Sequence, residues 1–280
     1  MYRMICKQKK KIFVNEDGQM KKKLLLVCTM IMLLVTGLLG CGSDKNQNSK
    51  VLGVIGAMEE EVEILKEKME IKETVNTAGM EFYRGTLEGK EIVLVRSGVG
   101  KVNSAACTQI LVDKFNVSGL INSGVAGTLD PELNQGDIVI STEAVQHDFD
   151  TSAVGDPVGE ISRLGITFFE ADRDMIETAK KAAENVTGIT IKEGRIASGD
   201  QFVAGGEIAE RISSNFGNVS AVEMEGASMA QVAYLNNVPY VILRSISDKA
   251  DGGADLSYEE FLPLAAHNAS ALVEEFIKLY

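Results

Sequence analysis

Four acids in this chain stand just past the ends of apolar runs. Glu61 follows Val51–Gly56, Glu223 and Glu225 follow Ser220–Val222, and Asp248 follows Val238–Leu243. Desolvating a carboxylate is costly, so one placed at the edge of a buried run needs a partner or a task. An acid whose pKa is raised by burial can protonate a leaving group. A second carboxylate can activate water, and a third can accept hydrogen bonds from two sugar hydroxyls. That division of labour suits cleavage of a glycosidic bond through an oxocarbenium-like transition state. Glu223 and Glu225 are two apart, so on an extended chain they point the same way, with Met224 opposite. A strand end followed by a helix with acids in its first turn is the alternative for this stretch, and helix-dipole compensation suffices for Glu59 and Glu60. Phe202, just past another strand end, either stacks on a planar ligand or fills the core. His147 reads as a structural hydrogen-bonder in preference to a catalyst.

The elements that must position these residues follow from apolar periodicity. Buried strands are expected at Val51–Gly56, Gly119–Asn122, Gly136–Glu143, Thr190–Ala197, Ser220–Val222 and Val238–Leu243. Phe82–Leu87 and Glu91–Arg96 form a hairpin through Glu88-Gly89-Lys90. Helices are expected after Met58, from Lys101 to about Phe115, over Asp172–Asn185 with Asp172 as N-cap, and over Glu207–Asn215, Glu225–Asn236 and Tyr258–Leu279. Residues 151–168 read as a long loop. Alternating strands and helices predict a three-layer α/β/α sandwich around a mixed, largely parallel central sheet. Glycine-punctuated turns are expected at 98–100 and 124–127, bringing Val99, Val125, Ala126 and Gly127 to the crevice at the strands' C-terminal ends. The run Gly98-Val99-Gly100-Lys101 lacks the upstream glycine and the following Ser/Thr of a P-loop, which excludes an NTPase of that kind.

Composition narrows the partners. Residues 1–40 hold eight of the 28 Lys/Arg and two of the 40 Asp/Glu, so the remainder carries a net charge of −18. That argues against nucleic acid, whose binding relies on basic surface. Met20-Lys21-Lys22-Lys23, the apolar Leu24–Leu39 and Leu38-Leu39-Gly40-Cys41 read as a signal peptide ending in a lipobox, with Cys41 as the lipidated residue. Residues 41–50 then form a polar tether, and the anchor holds the protein on the extracytoplasmic side of the membrane. A cytoplasmic enzyme with a fortuitous apolar leader is the alternative. Cys107 is the sole cysteine beyond Cys41, and His147 and His267 are far apart, so neither a disulfide framework nor a metal or other cofactor is expected.

The same residues carry a family resemblance. Val54–Glu61, Ser97–Val102, Asn122–Gly127, Ser198–Phe202, Val222–Ala227 and Arg244–Asp248 together resemble the bacterial 5′-methylthioadenosine/S-adenosylhomocysteine nucleosidases of the purine nucleoside phosphorylase superfamily, over about residues 51–280. The resemblance implies hydrolysis of the N-glycosidic bond, with release of adenine and a 5-thioribose product. Glu61 then activates water and Asp248 protonates adenine at N7. Glu225 holds the ribose hydroxyls, Met224 packs on the sugar, Phe202 stacks on adenine and the Val203 backbone reads its edge. Arg244 and Glu223 order Glu225 and the base pocket. Met58 and Val99 line the sugar and alkylthio side, and Tyr258 shapes the 5′ pocket with residues near 148–158 of a partner subunit, implying a homodimer. Val125 stands where some members have serine, so a hydrogen bond is absent there or comes from backbone. A nucleoside phosphorylase and a non-catalytic nucleoside-binding lipoprotein are the rival readings. The first is disfavoured by acids where a phosphate cradle is needed, the second by the presence of both Glu61 and Asp248.

Overall fold

The computed structural model describes residues 50–251 and 253–280; the leader, the tether and Cys41 lie outside the described residues. The strands are β1 (Leu52–Gly56), β2 (Glu70–Thr77), β3 (Met80–Leu87), β4 (Lys90–Arg96), β5 (Gly119–Gly127), β6 (Ile138–Gln146), β7 (Phe169–Glu170), β8 (Ile191–Ser198), β9 (Val219–Glu223) and β10 (Tyr240–Asp248). The helices are α1 (Glu59–Lys68), α2 (Lys101–Phe115), α3 (Arg173–Ala183), α4 (Gly206–Phe216), α5 (Gly226–Asn236) and α6 (Ala254–Leu279). Helices α2 and α5 pack together, and α1 and α3 both pack against α6. All strands join one mixed sheet. Parallel pairing runs through β4–β1–β5–β10 and through β6–β8–β9.

Part of that sheet closes on itself. β10 pairs in parallel with β5 and antiparallel with β6, while β9 reaches back to β5 through Val222 and Gly127. Closure leaves the ring β5–β10–β6–β8–β9 without a free edge of its own and draws the ends of β5, β9 and β10 around one point. Strands β1, β5, β9 and β10 are buried along their whole length; β1 and the first halves of β5 and β10 read as apolar runs, while the middle of β5 and the ends of β9 and β10 bury polar residues.

The structure departs from the sequence expectations in several places, among them the short strand β7 and the start of α6 four residues before Tyr258. β2 has no counterpart among the expected strands: its residues are exposed or half-exposed, because it is the outer edge strand paired only with β3. The segment 124–127 is not a turn; it is the second half of β5, which outruns β1 and continues along β10. Within 151–168 the chain forms a short 3-10 turn at Ser152–Val154 and an Ile161–Ile166 bridge. Arg244–Asp248 are strand residues, so Asp248 is the last residue of β10. Asp172 does cap α3, its carboxylate accepting the N–H of Met175 at 3.0 Å.

Candidate active site

A cavity of about 250 Å³ opens where β1, β5, β9 and β10 end. Its wall contains Glu61, Glu223, Glu225, Arg244 and Asp248, together with Met58, Val99, Val125, Ala126, Gly127, Phe202, Met224 and Tyr258. Of the residues expected at the site, Val203 alone among the described residues is absent from this wall. It lines an adjoining recess shared with Phe202, Met224 and Asp248. Met224 faces the cavity along with both glutamates, against the alternation expected of an extended chain. The reason is local: β9 stops at Glu223, and Glu225 is already the N-cap of α5.

Glu61 sits in the first turn of α1 and is buried. Its Oε2 accepts the N–H groups of Ala57 (2.6 Å) and Met58 (3.0 Å), and its Oε1 accepts that of Val125 (2.9 Å). The Val125 donor is available because β1 ends beside Asn122 while β5 runs on. Thus Val125 contributes through its backbone. A Cβ at Gly124 would lie 2.2 Å from Glu61 Oε1 and 2.5 Å from Arg244 Nη1, so only glycine admits the pair. Burial raises the Glu61 pKa above its usual value; Arg244 and the three N–H donors act against that rise.

Arg244 is the buried cation of the cluster. Its guanidinium donates to Glu223 Oε2 and Asn122 Oδ1, to Glu225 Oε2 at 3.4 Å and to the Val125 carbonyl at 3.1 Å, and it lies 3.7 Å from Glu61 Oε1. Glu223 also accepts the Ser198 hydroxyl and the N–H groups of Glu225 (3.2 Å) and Gly226 (2.7 Å) at the positive end of α5. Glu225 Oε1 accepts the Gly100 N–H at 2.8 Å, at the N-terminus of α2, and its carbonyl takes the hydroxyls of Ser104 and Ser228. One guanidinium cannot neutralise three buried carboxylates. Burial, with Glu223 and Glu61 nearby, pushes Glu225 up to about 7 despite Arg244 and Gly100.

Asp248 has a different environment. It is buried, and no cation among the described residues contacts it; Oδ1 accepts the Ala250 N–H at 2.8 Å and Oδ2 the Ser247 hydroxyl at 2.9 Å. Burial raises its pKa, with Asp251 adding to the rise and the two hydrogen bonds opposing it. A protonated carboxyl is therefore the favoured form here to higher pH than in water. At the cavity mouth Phe202 is 47% exposed and meets Tyr258 edge to face at 5.7 Å, and the Tyr258 hydroxyl donates to Met58 Sδ at 3.1 Å. The exposed ring face is free to stack on a planar group.

Sequence reasoning missed Ser198, Ser247 and Asn122, which hold Glu223, Asp248 and Arg244. All three lie inside the motifs quoted above, and that was the available signal. His147 is buried, but neither ring nitrogen has a hydrogen-bonding partner among the described residues, so it is not the side-chain hydrogen-bonder expected.

Comparison with known proteins follows the same lines. The profile of the phosphorylase superfamily matches residues 51–278. The 5′-methylthioadenosine/S-adenosylhomocysteine nucleosidase of Psychromonas ingrahamii is 49% identical over 226 residues, covering 81% of this chain and 97% of that protein. Among solved structures, the Neisseria meningitidis nucleosidase in complex with methylthio-immucillin-A superposes with a TM-score of 0.79 at 42% identity, covering 82% of this chain and 99% of that one. The futalosine hydrolase of Helicobacter pylori gives 0.78 at 37%, covering 83% and 99%.

Proposed function

This chain belongs to the 5′-methylthioadenosine/S-adenosylhomocysteine nucleosidases of the phosphorylase superfamily, and from that premise we propose how its cavity hydrolyses the N-glycosidic bond of these nucleosides. Glu61 accepts a proton from the attacking water. Asp248 supplies a proton to N7 of adenine, so that the base leaves neutral. Glu225 accepts the ribose hydroxyls while Met224 packs on the sugar, and Phe202 stacks on the purine. The backbone at Val203, Ala126 and Gly127 bounds the base, and Met58, Val99 and Tyr258 bound the 5′ side. The reaction consumes water and yields adenine and the free 5-thioribose product.

One observation carries hydrolysis over phosphorolysis. Arg244 is the single cation in the cavity wall, and its guanidinium is already engaged by Glu223, Glu225, Glu61 and Asn122. An incoming phosphate would meet carboxylates instead of a cationic cradle. The test is adenine release from 5′-methylthioadenosine by the full-length chain, with and without phosphate. Equal release in both is expected; release that requires phosphate, or none in either, overturns the reading.

Residues 51–280 are the nucleosidase domain in this proposal, preceded by a cleaved signal peptide (1–40) and a tether (41–50) lipidated at Cys41. No helix among the described residues is long and apolar enough to cross a membrane, so the anchor rests on the Leu38-Leu39-Gly40-Cys41 motif. Palmitate labelling of the native chain that disappears in Cys41→Ala supports the anchor, and absence of label from the native chain refutes it. The assembly is a homodimer in which residues near 148–158 of a second copy complete the 5′ pocket. The exposed apolar side chains Val99, Val102, Val154 and Phe202 support such a contact.

A further inference from the structure

Helix α2 begins without a cap of its own. Its N-cap is Gly100, no acid occupies its first turn, and no local side chain accepts its leading N–H groups. Free N–H groups at a helix start need acceptors. Two carboxylates from distant parts of the chain supply them. Glu225 takes the Gly100 N–H, and Asp200 Oδ1 takes the Lys101 N–H at 2.8 Å. The two acceptors therefore hang on consecutive peptide groups. One belongs to the side chain assigned to the ribose, and the other lies two residues before the ring assigned to the purine.

Asp200 is itself held in place. Its N–H donates to Asp148 Oδ2 at 2.9 Å, and the other oxygen of Asp148 accepts the Lys101 ammonium at 2.5 Å. This extends the β6–β8 pairing past its end: Gln146 faces Ser198, the His147 N–H donates to the Ser198 carbonyl, and the Asp148 side chain takes the next free donor. Burial acts to raise the Asp148 pKa, but Lys101 and the Asp200 N–H outweigh it and hold the carboxyl below its usual value. In this triangle of Asp148, Lys101 and Asp200, Asp148 therefore stays ionised at neutral pH. A Cβ on Gly100, whose φ is +97°, would lie 3.0 Å from Asp200 Oδ1, so the turn approaches as closely as glycine permits. Beyond Asp200, no residue from Gln201 to Ala204 makes a hydrogen bond to another element among the described residues. Asp200 is thus the last polar fastening before Phe202.

We propose that Asp200, seated by Asp148 and Lys101, is a positioning residue that fixes the Phe202 loop against the turn orienting Glu225, and so sets affinity for the purine and not the rate of bond cleavage. The inference rests on the nucleosidase reading for what Phe202 and Glu225 hold. Neither Glu61 nor Asp248 is bonded to the triangle, which is why the chemical step is expected to be spared.

The experiment compares the native chain with Asp200→Ala, Asp200→Asn and Lys101→Met, measuring adenine binding by calorimetry and kcat and KM on 5′-methylthioadenosine. Losing charge-assisted hydrogen bonds at a partly exposed site should weaken adenine binding and raise KM about tenfold in Asp200→Ala, with kcat within about twofold. Asn keeps an acceptor for the Lys101 N–H and should restore most of the affinity. Lys101→Met, which leaves the backbone donor intact, should cost about threefold. Should Asp200→Ala fail to fold, the Lys101→Met result decides alone. Native adenine affinity in Asp200→Ala and Lys101→Met, or a fall in kcat at unchanged KM, overturns the proposal. A native chain that binds adenine yet leaves 5′-methylthioadenosine intact defeats the activity reading instead, and the binding arm still tests the triangle.

Discussion

Two regions of one cavity hold buried carboxylates in opposite ways. Around Arg244, three glutamates share one guanidinium and six backbone N–H bonds: Ala57, Met58 and Val125 to Glu61, Glu225 and Gly226 to Glu223, and Gly100 to Glu225. At Asp248 no cation stands among the described residues, and one N–H and one hydroxyl serve the carboxyl. The same residue chemistry is thereby divided. Glu61 is aligned as an acceptor by donors and a positive charge, whereas Asp248 lies where its protonated form is cheap. Gly124 and Gly127, three apart on β5, make both sites possible, since a Cβ on either would collide with Glu61 or Asp248 respectively. Proton donor and proton acceptor are kept apart by environment, not by residue type.

The sharpest way to break this contrast is Asp248→Asn. The amide keeps an acceptor for the Ala250 N–H but cannot deliver the proton, so kcat on 5′-methylthioadenosine should fall by about 10⁴. A variant within tenfold of the native rate would remove Asp248 from its role. Glu61→Gln should lower kcat by about 10³ while binding of the intact nucleoside, read by calorimetry, changes little. Equal losses in binding and turnover would instead make Glu61 a scaffold for Arg244.

Arg244→Met tests the cluster as a structural unit. It strands three carboxylates in a dry interior and should destabilise the fold by about 4 kcal/mol in urea denaturation at pH 7.5. A change under about 1 kcal/mol would mean that the glutamates shed their charge freely. The smallest effect is a slope. Glu225 rises from 4.5 unfolded to about 7 folded, so the native state binds the extra proton. Its stabilising contribution is complete below pH 4.5 and is lost as pH climbs through 7. Between those limits the native chain should lose on the order of 3 kcal/mol relative to Glu225→Gln. Parallel stability curves for the two proteins would refute the elevated pKa.

Much of the fold was legible in the residues because buried strands leave apolar runs, as β1 and the first half of β10 do, whereas the buried polar residues Arg244–Asp248 hid the second half of β10. β2 was illegible for the converse reason: an exposed edge strand needs no apolar pattern. The extent of β5 was misread because glycine signals a turn by default, and here it signals close approach of Glu61, Arg244 and Asp248.

By itself, the sequence determined that acids, glycines and one aromatic recur at strand ends in the order of a known nucleosidase family. Those are local facts, fixed by apolar periodicity and motif spacing. Only the tertiary structure decided which acid meets a cation. Arg244 is on β10, Glu61 on α1 and Glu225 at the start of α5, and the closing of β5, β10, β6, β8 and β9 into a ring brings them within hydrogen-bonding and ion-pair distance. The pKa of a carboxyl depends on burial and on neighbours far away in the chain: burial raises both Glu61 and Asp248, and only folding brings Arg244 and three N–H donors to oppose that rise at Glu61.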